Sequence, residues 1–93
     1  MKIFPEVDYK RAQILNFEGR TLIQLAFVTG NGEPMALCIL RTDEAAQNKP
    51  AQSVMEGMQS AYWSHVGYEY LLIGGADAAL VKRLADSFAS LEI

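Results

Sequence analysis

Cys38 and His65 are the only cysteine and the only histidine among the 93 residues. Together they are the one combination here that could supply a nucleophile and a base near neutral pH. Side by side, the imidazole would take the thiol proton and leave a thiolate. Cys38, however, stands inside "ALCIL", an apolar stretch in which a thiol packs and stays inert. The reading is therefore a packed cysteine and a histidine at a strand edge. One cysteine closes no internal disulfide, and one histidine beside it makes no zinc set. Asp43 and Glu44 form an acidic pair in a polar stretch, which suits a solvated surface better than a general acid and base. "GNG" at 30–32 and "IGG" at 73–75 match neither a dinucleotide nor a P-loop pattern and read as turn glycines. No catalytic residue, metal site or cofactor is expected, and the chain does not read as an enzyme.

The densest cluster of functional-looking side chains is "YWSHVGYEYLLIGG", residues 62–75. It holds the single Trp, the single His, three of four Tyr and three of seven Gly. Rings with a polar tip suit partly wet interfaces, so Tyr62, Trp63, Tyr68 and Tyr70 are candidate interaction residues. Strand alternation puts Trp63 on one face with Ala61 and His65, and Tyr62 on the other with Ser60 and Ser64. One ring should point into the core and the other out.

These residues need a frame of one domain, the size at which a single core suffices with little reserve. Hydrophobic residues make up 51% and charged ones 20%, a balance that favours a folded chain. The net charge is −3, with no basic cluster larger than a pair such as Lys82 and Arg83, which argues against nucleic acid as a partner. The longest apolar run, 35–40, is far short of the roughly 20 residues that cross a bilayer.

Period-two patterns predict strands near 9–17, 21–29, 34–41, 58–65 and 68–74. "EGR", "GNGEP" and Val66–Gly67 supply turns. In the second strand Ile23, Leu25 and Phe27 face one way, and Leu22, Gln24, Ala26 and Val28 the other. Residues 42–57 lose the period and read as a surface connection with a short helical turn near 52–56. Leu80, Leu84, Phe88 and Leu91, flanked by Val81 and Ala85, form a helical stripe over 77–90 with Asp77 as N-cap. The expected fold is α+β: an antiparallel sheet of about five strands with one C-terminal helix packed on one face.

One helix covers one face, and "MALCIL" is apolar toward both. The open face should therefore be covered by the connection, a second copy or a partner protein. Leu37 or Ile39, whichever faces outward, is expected at such an interface, with Tyr68 or Tyr70 at its edge.

The segment "GMQSAYWSHVGYEYLLIGGADAALVKRLADSFAS", 57–90, resembles the closing part of membrane-anchored bacterial anti-sigma factors. In these a strand ending near a tryptophan turns through glycine into an aromatic-Leu-Ile/Val-Gly strand and a short amphipathic helix. "FPEVDYKRAQILNFEGRTLIQLAFVTGNGEPMALCIL", 4–40, looks like the preceding part of that ectodomain, with its "GR" turn and glycine turn between strands. "EVDYKRAQ" departs from the pattern, which leads into the first strand through a glycine. The resemblance implies a non-catalytic sensor domain on the periplasmic side of the inner membrane. It would be part of a longer protein that is tethered by a membrane helix and carries a sigma-binding segment. The alternative, if Met1 is the native start, is a stand-alone cytoplasmic homodimer that binds a ligand or a protein.

Overall fold

A computed structural model describes residues 7–43 and 47–90. Six strands and one helix follow in the order β1 (Val7–Phe17), β2 (Arg20–Thr29), β3 (Pro34–Arg41), β4 (Ala51–Met55), β5 (Met58–His65), β6 (Tyr68–Ile73) and α1 (Ala78–Ser90). They form one sheet, β1-β2-β3-β6-β5-β4, in which every neighbouring pair is antiparallel. The sheet consists of two three-stranded meanders joined where β3 meets β6. The fold is α+β as expected, with six strands in place of five.

The additional strand is β4, which occupies the stretch read as a connection with a helical turn. Its five residues are all exposed, so no buried face imposes an apolar alternation on them. Its register is set by a tight turn: Met55 pairs with Met58 across Glu56 (φ 51°) and Gly57 (φ 82°). Successive positive φ values twist the chain in the sense that two antiparallel strands need. Glu18–Gly19 and Val66–Gly67 repeat the same geometry.

β1 explains its own imperfect alternation. Tyr9 pairs with Phe27 but Arg11 pairs with Ala26, leaving Lys10 as the extra residue of a bulge. Val7 thereby faces the helix side ahead of the bulge and is 2% exposed. Beyond it, Ala12 and Ile14 take that side and Arg11, Gln13 and Leu15 take the other.

The core lies between α1 and one sheet face. Asp77 caps the helix, its Oδ1 accepting from Leu80 N at 3.1 Å, and Leu80, Val81, Leu84, Ala85 and Phe88 are buried. Leu91, the last member of the expected stripe, lies outside the described residues. Against the stripe stand Phe27, Leu37, Ala61, Trp63, Tyr70 and Leu72. The Phe88 and Phe27 ring centroids are 5.9 Å apart, and Trp63 stacks on Tyr70 at 5.4 Å. Among the described residues no helix is long and apolar enough to cross a membrane.

Candidate functional site: the open face of the sheet

Register assigns every strand residue to a face. Cys38 pairs with Gln24 on one side and Leu71 on the other, and Leu71 continues to Tyr62. This row crosses the face away from the helix. Leu15, Leu22 and Leu40 form a parallel row of leucines on it, leading to Glu69. A third row holds Ala26, Ala36, Ile73 and Ser60. The face is thus largely apolar, and among the described residues no helix lies on it.

The expected outward pair is corrected. Leu37 is fully buried and Ile39 packs against the core, because both share the phase of Leu25 and Ile23, which the helix side claims. Cys38 and Leu40, with Ala36, are the outward residues of β3. Tyr70 also belongs to the core at 4% exposure. Tyr68 is exposed, but on the helix side of the sheet, where the Arg41 guanidinium lies 5.8 Å from its ring centroid. Neither tyrosine ring points to the open face, although Tyr70 is among the residues that border its groove. Trp63 points in and Tyr62 out, as alternation requires. Of Tyr62, Trp63, Tyr68, Tyr70, Leu37 and Ile39, only Tyr62 stands on the open face.

Between β3 and β4 this face is concave and forms a groove of about 320 Å³. Leu71 and Tyr62 line its middle, Cys38 and Leu40 one side, and Ser53 and Met55 of β4 the other. Ser60, 2% exposed, turns its hydroxyl onto the Ser53 carbonyl at 3.2 Å, so its polar atom is not offered to the groove. Glu69 is the one charged lining residue. Its Oε2 accepts from the Tyr62 hydroxyl at 3.4 Å, and its Oε1 pairs with Arg20 at 3.3 Å. Arg20 also donates to the Arg41 carbonyl. The carboxylate is thus matched on both oxygens at one end of an apolar trough.

Burial pushes the Cys38 thiol above its ordinary pKa, opposed by a hydrogen bond from Gln24 Nε2, 4.0 Å from Sγ. Gln24 itself accepts from Gln13 at 2.6 Å, so the open face carries a short polar ladder beside the groove. His65 lies on the helix side at the end of β5, with Nδ1 3.1 Å from Asn48 Oδ1. The sheet stands between His65 and Cys38, and this arrangement cannot pass a proton between them. Among the described residues no group of three His, Cys, Asp or Glu could hold a metal. Asp43 is exposed, and Glu44 lies outside the described residues.

The glycine stretches are structural. Gly32 N donates to Thr29 O at 2.9 Å in the β2–β3 turn, and Gly74 N and Gly75 O bond with the backbone of Gln59 at 3.0 and 3.1 Å. Just ahead of the helix, the Glu33 carboxylate lies 3.1 Å from where a Gly75 side chain would begin. That surrounding is unsuited to an anion.

Sequence reasoning missed the groove because one wall is β4. The available signal was the second Glu-Gly pair, at 56–57, which repeats the turn at 18–19. Comparison with known protein families, with curated proteins and with solved structures finds no match to the chain.

Proposed function

We propose that this chain is a non-catalytic sensor and interaction domain, the extracytoplasmic part of an anti-sigma factor, and that it receives its signal on the open sheet face. The observation that carries the reading is that face: an apolar surface crossing all of β2, β3 and β6, with the only helix of the described residues on the other side. A surface of that kind calls for an occupant. The resemblance in the order of strands, turns and final helix supplies the regulatory context. In that context the signal reaches the sigma factor through a membrane tether belonging to a longer protein.

The test is in-frame removal of residues 1–93 from the native gene, followed by transcript sequencing. The expected result is a changed set of transcripts whose promoters share one recognition sequence. An unchanged transcript profile overturns the anti-sigma reading.

A second reading is a homodimer, favoured by the leucine row. Leu15 is 39% exposed at the sheet edge and continues through Leu22 to Leu40. A second copy laid over that half of the face would cover it. Sedimentation of the wild type and of Leu22→Lys separates this reading from the first.

A further inference from the structure

We propose that the groove between β3 and β4 is a binding site for an uncharged, apolar small molecule about the size of two to three aromatic rings. This inference rests on the reading of the open face as the receiving surface and names what that face receives.

Size is the first argument. The groove measures about 320 Å³, within the range of small-molecule sites. It is about twice the cavity of roughly 150 Å³ that accepts a single benzene. One turn of an α-helix with side chains, about 10 Å across and 5.4 Å long, exceeds it. An extended peptide gains little in the groove itself, because its floor is β6 and β5, whose backbone groups are spent in ladders on both sides, and strand addition needs a free edge, which here is the outer side of β4, beyond the groove wall. A second copy of the chain fills this groove poorly. A two-fold interface sets the same patch against itself, and two facing concavities enclose a void in place of packed atoms.

Polarity is the second argument. Leu71, Leu40, Met55 and the Tyr62 ring present carbon to the interior, while the Ser60 hydroxyl is engaged elsewhere. Glu69 is matched by Arg20 and Tyr62, so a charge on the ligand would find no partner that is not already committed. Burying an unpaired charge is costly, which selects a neutral molecule. Met55, 43% exposed at the end of β4, is an unbranched side chain able to fold over ligands of differing outline.

The experiment uses the full 93-residue chain and the neutral fluorophore N-phenyl-1-naphthylamine, whose emission rises in apolar surroundings. The first readout is that emission. The second is the rate at which a water-soluble maleimide modifies Cys38, the only thiol, which lies in the groove wall. The expected result is saturable binding that slows modification of Cys38. Ser53→Phe, which fills the groove from its β4 wall, and Leu71→Glu, which charges its middle, should each weaken binding by at least about tenfold. Ala26→Glu, on the same face outside the groove, should leave it unchanged. The sulfonated analogue, 8-anilinonaphthalene-1-sulfonate, should bind more weakly than the neutral probe.

Circular dichroism and Trp63 fluorescence, from the opposite face, verify that each variant is folded. Three results overturn the site: no saturable binding, equal loss in Ala26→Glu, or no protection of Cys38. Concentration-dependent dimerisation that shields Cys38 without probe also overturns it, in favour of a second copy. Should the probe fail while removal of the domain still changes transcription, the groove is wrong and the regulatory reading stands.

Discussion

Phe88 is one of the residues that dock the helix. Its ring is 3% exposed and lies against Phe27, so Phe88→Ala removes both burial and an aromatic contact. The expected cost is about 3–5 kcal/mol, a large part of what a domain of this size commands, and it is read from the denaturant midpoint. An unshifted midpoint would remove the stripe from the core. Cys38 makes a pH prediction. Because burial raises its pKa in the fold, the neutral thiol contributes stability in full below the ordinary thiol value of about 8.5. That contribution is lost as pH rises through the raised native value. Alkylation followed upward from neutral pH should have a higher midpoint for the native chain than for the urea-unfolded one; equal midpoints would mean the thiol is solvated.

Two glycines test how the elements are joined. Gly67 has φ 83° and open space where a Cβ would be, so Gly67→Ala meets only backbone strain, about 1–2 kcal/mol. Gly74 has φ 146°, and a Cβ there would lie 2.7 Å from the Pro34 carbonyl oxygen and 2.8 Å from Met35 Cα. Both obstacles are backbone atoms of the neighbouring strand, which cannot rotate away. Gly74→Ala should therefore destabilise clearly more than Gly67→Ala in the same denaturant titration, and a reversed order would refute the close approach of β3. At the helix start, Asp77→Ala removes the acceptor for Leu80 N and should cost about 1 kcal/mol. Substituting Asn should restore most of it.

For the whole molecule, the coverage of the sheet is the deciding quantity. The helix shelters β5 and β6 and reaches Phe27 through Phe88, whereas Ile14 at the far end of β1 is 74% exposed. If the leucine row is a self-association surface, sedimentation at micromolar concentration shows a dimer and Leu22→Lys yields a folded monomer. A wild type that is already monomeric removes the homodimer reading and leaves the groove as the functional part of that face.

Much of this architecture is legible in the sequence itself. The period-two runs of β2, β5 and β6 and the 3.6-residue stripe of α1 are visible because each of these elements buries one side, and burial imposes a repeat on residue type. Asp77 was readable as a cap, and Trp63 as the inward ring, for the same local reasons. β4 was not legible, since a strand exposed at all five positions carries no apolar repeat and is held by its partner alone. The phase of β3 was equally hidden: "MALCIL" is apolar at every position, so only its register between Ile23 and Tyr70 decides that Leu37 and Ile39 go to the helix while Cys38 and Leu40 go outward. The groove belongs wholly to the tertiary structure. Its walls come from strands far apart in the chain, and its shape depends on β3, β6, β5 and β4 lying side by side, a long-range property that no local pattern of side chains records.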